Sequence, residues 1–153
     1  MARFFDYPDG SVVADEPAFL AGATSADWQT IVRNLNAERF AAGQVLIAAG
    51  DDADSFCILA EGRVQVLARS VFGLKRVVAT IEPGSIFGEI AFLDGGRRTA
   101  TVRAVSAGAM IRITHENFSR LQVTNPALAQ RIALDLGRIC AARLRKTLKL
   151  IGR

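Results

Sequence analysis

From residue 43 to residue 113 the chain is a run of short apolar segments separated by turn residues. The segments are Val45–Ala48, Ser55–Ala60, Arg63–Arg69, Lys75–Ile81, Thr99–Ala104 and Ala109–Ile113. Gly43, Gly50, Gly62, Gly73, Gly84 and the pair Gly95-Gly96 stand in the gaps, where glycine permits tight reversals. Turns recur roughly every 8–12 residues, the spacing of a sandwich or barrel. Within one segment Val64, Val66 and Ala68 alternate with Arg63, Gln65, Leu67 and Arg69. That imperfect period of two predicts strands with one face turned inward.

The pattern on either side is helical. Tyr7-Pro8-Asp9-Gly10 reads as a turn. Ser25 is placed to cap a helix carrying Trp28, Ile31, Val32 and Leu35. After the last strand, Thr114 caps a helix bearing Phe118 and Leu121, and Asn125-Pro126 opens another. Leu128, Ile132, Leu136, Cys140, Leu144, Leu148 and Ile151 then recur at spacings of four and three, with Gly152 just beyond. This predicts an amphipathic helix of about six turns. The reading is a single domain over 1–153. Residues 1–42 form an N-terminal helical segment, 43–113 the β region and 114–153 the C-terminal helices.

Composition narrows the chemistry. The chain has 153 residues, half of them hydrophobic and 22% charged, which fits a packed globular domain. No apolar run reaches the length of a membrane span, and the first residues lack a signal core. Two cysteines, Cys57 and Cys140, make neither a disulfide framework nor a CxxC pair, and read as small buried hydrophobes kept reduced in a cytoplasmic protein. The single histidine, His115, reads as a surface residue at a helix start and cannot supply a multi-histidine metal site. No nucleophile elbow, P-loop or HExxH motif occurs, so an enzyme is not expected.

The net charge of +4 is uneven. Residues 131–153 hold Arg131, Arg138, Arg143, Arg145, Lys146, Lys149 and Arg153 against Asp135 alone. This tail therefore carries +6, and residues 1–130 carry −2. A basic helix can bind nucleic acid. A solvated helix face, with cations favoured near the helix C-terminus, accounts for it without a partner. DNA binding is accordingly not expected.

One stretch does not read as ordinary strand and turn. Gly84 to Val102 contains Phe87-Gly88-Glu89-Ile90-Ala91-Phe92-Leu93, which suits a short helical turn between two strands. Gly88 would let the backbone approach a ligand closely. The first N–H groups of such a turn lack intrahelical acceptors and favour an anion. Arg97 or Arg98 could offer a bidentate guanidinium to a phosphate, and Glu89 could accept from sugar hydroxyls. The features together describe a small phosphorylated sugar. Taken singly, Glu89 and Arg98 could also be a salt bridge within a loop.

The stretch resembles the phosphate-binding cassette of cyclic-nucleotide-binding domains, with Phe87-Gly88-Glu89-Ile90-Ala91-Phe92 and Arg98-Thr99-Ala100-Thr101-Val102 at the family's spacing. Phe92 replaces the usual leucine. Ala42-Gly43-Gln44-Val45-Leu46-Ile47, Gly50-Asp51, Ala53-Asp54-Ser55-Phe56-Cys57-Ile58-Leu59 and Glu61-Gly62-Arg63-Val64 resemble the family's early strands. The likeness runs over roughly residues 15–150. It implies an eight-stranded antiparallel β-roll, jelly-roll-like and mainly β, with flanking helices, and cAMP or cGMP as ligand with no further cofactor. It implies that Glu89 accepts from the ribose 2′-OH beside Gly88, following Phe87. Arg98 pairs with the cyclic phosphate. The N–H groups near Ile90, Ala91 and Ala100 complete the anion pocket, and Thr99 touches the phosphate or a syn purine. The C-terminal helices then close over the base, with Leu136, Ile139 and Cys140 as candidate lid residues. The output passes to an unidentified effector protein or a homodimer through the last helix. The DNA-binding module that catabolite-activator-type factors carry after that helix is not recognised here.

Overall fold

The computed structural model describes residues 16–33, 35–69 and 72–152. The turn read at Tyr7–Gly10 and the side chain of Ile151 lie outside the described residues. In chain order the elements are α1 (Ser25–Val32), β1 (Glu38–Phe40), β2 (Val45–Ile47), β3 (Ser55–Glu61), β4 (Val64–Arg69), β5 (Lys75–Ile81), β6 (Ile86–Phe87), α2 (Glu89–Asp94), β7 (Thr101–Ala104), β8 (Gly108–Thr114), α3 (His115–Thr124) and α4 (Pro126–Ile151). The strands form two four-stranded antiparallel sheets, ordered β1-β8-β3-β6 and β2-β7-β4-β5. They stack as an open β-roll rather than closing into a barrel.

Strand β3 shows how one sequence serves two layers. Phe56 and Ile58 point outward, where they cluster with Ile111 and Ile113 of β8 and Ile132, Leu136 and Ile139 of α4. Cys57 and Leu59 point inward, to the second sheet's Ile47, Val64, Ile81 and Val102. Both faces are buried, so the strand reads as a continuous apolar run rather than an alternation. Each fully buried Ile, Leu or Phe here contributes about 1.5–3 kcal/mol of transfer free energy.

Three boundaries and the burial of one cysteine differ from the sequence reading. The β region begins before residue 43, because Glu38–Phe40 pairs with β8. The strand expected at Thr99 begins at Thr101. Helix α1 is capped by Thr24, not Ser25: Thr24 Oγ1 accepts from the Asp27 N–H while Asp27 Oδ2 accepts from the Thr24 N–H, a reciprocal box. Cys140 is half-buried and only Cys57 is fully enclosed. Thr114 and Asn125 cap α3 and α4 as expected, with Pro126 at the start of α4.

The basic tail is not uniformly a solvated face. Arg131 donates to the Ala21 carbonyl, and buried Asp135 accepts from the Leu20 N–H at 2.8 Å. Residues 16–23 are thereby strapped along α4, with Phe19 and Leu20 buried beneath. Among the described residues no helix is long and apolar enough to cross a membrane.

Candidate ligand site

The site is built around α2, a helix of six residues bounded by Gly88 and Gly95, both in the left-handed region. Gly88 has φ +78°, and a Cβ there would stand 2.7 Å from Arg98 Nη1 and 3.0 Å from Ile47 Cδ1. Glycine is thus required twice, by the backbone and by the guanidinium against it. The Arg98 Nη1 donates to the Gly88 carbonyl at 2.9 Å, and Nη2 donates to Ser55 Oγ at 3.1 Å. Arg98 is 7% exposed. Among the described residues no carboxylate lies within 4 Å of it. Burial, assisted by the nearby Arg112 charge, holds its pKa below the usual arginine value against the opposing pull of Cys57, Asp54 and Glu89.

Arg112 stands on β8 opposite Cys57 and points into the roll with Ser55. Its Nη1 also donates to Ser55 Oγ, at 3.2 Å, while its Nε donates to Glu38 Oε2 at 2.8 Å. Two guanidiniums therefore share one fully buried hydroxyl.

Glu89, the first residue of α2, is 5% exposed. It does not pair with Arg98. Its Oε1 receives Arg143 Nη1 at 3.0 Å, from α4. Arg143 also pairs through Nε with Glu16, and through Nη2 reaches the Ile86 carbonyl at 2.8 Å and Ser85 Oγ at 3.3 Å. The two carboxylates raise the pKa of Arg143 against the opposing effect of burial. Leu136 and Ile139, candidate lid residues, are fully committed to the outer core. The α4 side chain that reaches the site is Arg143, one turn further on. His115 heads α3 at the surface and donates from Nε2 to the Phe92 carbonyl at 2.8 Å, tying α3 to α2.

The model of the cyclic nucleotide-binding domain family matches residues 37–125, more than half of the chain. This chain belongs to the cyclic nucleotide-binding domain family. It is 34% identical over 144 residues to glutaminase 2 of Bradyrhizobium diazoefficiens, covering 93% of this chain and 22% of that protein. It is 34% identical over 90 residues to a cAMP-dependent protein kinase regulatory subunit of Dictyostelium discoideum, covering 57% of this chain and 28% of that one. The chain thus spans about a quarter of the length of these relatives. Among solved structures, the Thermus thermophilus catabolite activator protein superposes with a TM-score of 0.76 at 24% identity over 88% of this chain and 62% of that one. The cAMP-bound regulatory domain of Toxoplasma gondii protein kinase A gives 0.58 at 29% over 65% of this chain and 38% of that one. The first shows the shared fold.

Within this cyclic nucleotide-binding domain the residues singled out from sequence fall into two groups. Phe87, Gly88, Glu89, Ala91 and Arg98 are brought together and withdrawn from solvent, with Gly88 half-buried. Ile90 and Thr99 are exposed and Ala100 is half-buried. Four residues of the cluster were not singled out: Ser55, Arg112, Glu38 and Arg143. Arg112 carried a signal, being a lone cation between Ile111 and Ile113 in an apolar strand. Period two sends it to the face opposite those isoleucines, into the roll. Among the described residues no group of His, Cys, Asp and Glu could hold a metal ion.

Proposed function

We propose that this chain binds a 3′,5′-cyclic nucleoside monophosphate, cAMP or cGMP, as a regulatory module and does not act on it chemically. The observation that carries the reading is Arg98: a buried guanidinium with no carboxylate within 4 Å among the described residues, set against Gly88 beside Glu89. A buried charge is normally paired. A phosphate supplies the missing partner with bidentate geometry. Glu89 accepts from the ribose 2′-OH. A carboxylate has two oxygens, so Oε2 serves the sugar while Oε1 holds Arg143. Ile90, Ala91, Thr99 and Ala100 line the seat through backbone and side chain. Relatives whose names refer to cAMP support the ligand class.

Glu89 is then the joint between ligand and α4. Ligand shifts α4 only as far as it binds one arrangement of Glu89 and Arg143 more tightly than another. The module is read as one domain, cytoplasmic and without a DNA-contacting role.

The test is calorimetric titration with cAMP, cGMP and 5′-AMP. Saturable binding of a cyclic form, weaker by about 2–5 kcal/mol in Arg98→Ala, is the expected result. Equal affinity in wild type and Arg98→Ala would remove the phosphate assignment. Incubation with ligand should leave it unhydrolysed; turnover would make the site catalytic.

A second reading concerns assembly. Leu144 and Leu148, one turn apart on α4, are 58% and 57% exposed. A second copy packed through α4 covers them, and an effector protein is the alternative occupant. Light scattering should show a dimer in wild type and a monomer in Leu144→Glu/Leu148→Glu.

A further inference from the structure

The phosphate seat has more donors than the cassette supplies. Ser55 Oγ is fully buried and accepts from Arg98 Nη2 at 3.1 Å and from Arg112 Nη1 at 3.2 Å. A serine hydroxyl has two acceptor lone pairs and one O–H. Both lone pairs are occupied, so its hydrogen is free to donate, and among the described residues no acceptor is in place for it. Three donors thus converge inside the roll: a guanidinium from the loop after α2, a hydroxyl from β3 and a guanidinium from β8. Like charges that share one buried hydroxyl repel. An anion between them reverses the sign of that interaction.

We infer that Ser55 and Arg112 are ligand-contacting residues, and that Arg112 is a second arginine on the exocyclic oxygens of the cyclic phosphate. This deepens the reading above and rests on it. The charges agree with a cyclic phosphodiester. Glu38, at 2.8 Å from Arg112 Nε, neutralises that guanidinium and fixes its direction. Arg98 has no carboxylate within 4 Å among the described residues, so it is the cation of the pair without an ion-pair partner there. The seat therefore offers one net positive charge with donors on two sides, which suits the single charge and two free oxygens of a cyclic phosphate. A 5′-monophosphate brings close to two charges and a third oxygen, and suits it less.

The experiment is titration of wild type, Arg112→Gln and Ser55→Ala with whichever of cAMP and cGMP wild type prefers. Each is then titrated with the two phosphorothioate diastereomers of that nucleotide, in which one or the other exocyclic oxygen is sulfur. Melting curves check the fold. Arg112→Gln should weaken binding by about 10- to 100-fold, the range for a charged hydrogen bond. It should also erase the discrimination against sulfur at one of the two oxygens. Ser55→Ala should weaken binding by about five- to tenfold. Should Arg112→Gln melt early, Arg112→Lys carries the test. An ammonium cannot hold Glu38 and Ser55 and present a guanidinium edge together, so the same discrimination should vanish. Unchanged affinity and an unchanged diastereomer pattern in the folded Arg112 variants would overturn the inference and leave Arg112 as the partner of Glu38 alone. Failure of wild type to bind any cyclic nucleotide would instead overturn the reading of the site itself.

Discussion

Two arginines flank α2, and their surroundings are opposite. Arg143 reaches in from α4 and meets two carboxylates, Glu16 and Glu89, with a carbonyl and a hydroxyl besides. Arg98 comes from the loop after α2 and meets a carbonyl and a hydroxyl, but no carboxylate among the described residues. Both are largely withdrawn from water. The first is a closed circuit and its charge is answered within the fold. The second has no carboxylate within 4 Å among the described residues, and feels Asp54 and Glu89 only at longer range. Burial therefore does not tell these two arginines apart; the inventory of close counter-charges does.

The largest effect expected from this contrast is on stability. Arg143→Met leaves Glu16 and Glu89 facing each other with no cation. Breaking a buried pair by removing one partner costs about 3–5 kcal/mol. Urea unfolding should show the loss, and adding Glu89→Gln should recover part of it, since the two sites are coupled. A loss below 1 kcal/mol would mean the circuit is solvated and the contrast is false.

Arg98→Met should behave the other way. Ligand affinity should fall by about 2–5 kcal/mol. Stability without ligand should hold or rise, because an apolar side chain replaces a buried cation that has no ion-pair partner among the described residues. Melting temperature and titration on the same preparation check both halves. A destabilisation equal to that of Arg143→Met would show that Arg98 is structurally paired after all.

This difference explains how much was legible in the sequence. The cassette from Phe87 to Val102 is contiguous, so Gly88, Glu89 and Arg98 could be found by spacing. The caps Thr114 and Asn125 act on their own next residues and were equally plain. Strands β1 and β6 were missed individually because three and two residues leave no room for a period to declare itself. Arg143 was counted only as part of a basic tail, since its carboxylates lie far away in the chain, at Glu16 and Glu89. Its role is set by how α4 docks on the outer face of the roll, which no local pattern encodes. Arg112 lies between these cases, visible as an interruption of an apolar strand but interpretable only once β3 places Ser55 beside it.

Gly88→Ala sharpens the contrast at the next size down. The substitution forces an alanine to φ +78° and sets a methyl 2.7 Å from Arg98 Nη1. The strained backbone costs about 1–3 kcal/mol. The guanidinium, as the free end of a flexible side chain, gives way and leaves the seat. Affinity should therefore fall further than stability does. A stability loss with unchanged affinity would mean that Arg98 is not held in place by Gly88.

The smallest effect concerns the thiol of Cys57, first among the groups that act as counter-charge to Arg98, ahead of Asp54 and Glu89. Cys57 lies inside the roll opposite Arg112, and both guanidiniums favour its thiolate. Burial outweighs them and raises the thiol from its ordinary 9.0 to about 11. The folded state thus keeps a proton that the unfolded chain loses. Below pH 9 both states are protonated and nothing is lost. Between pH 9 and pH 11 only the unfolded chain ionises, so stability falls as pH rises, by about 1.4 kcal/mol for each unit once ionisation is under way. Unfolding of wild type and Cys57→Ala at pH 8 to 10.5 should give diverging curves, wild type falling more steeply. Parallel curves would mean that burial does not raise the thiol, and a wild-type curve rising against Cys57→Ala would mean that Cys57 ionises first in the fold and is itself an anion that Arg98 faces. A steeper fall in wild type would leave the thiol neutral at physiological pH, and Arg98 without a thiolate beside it.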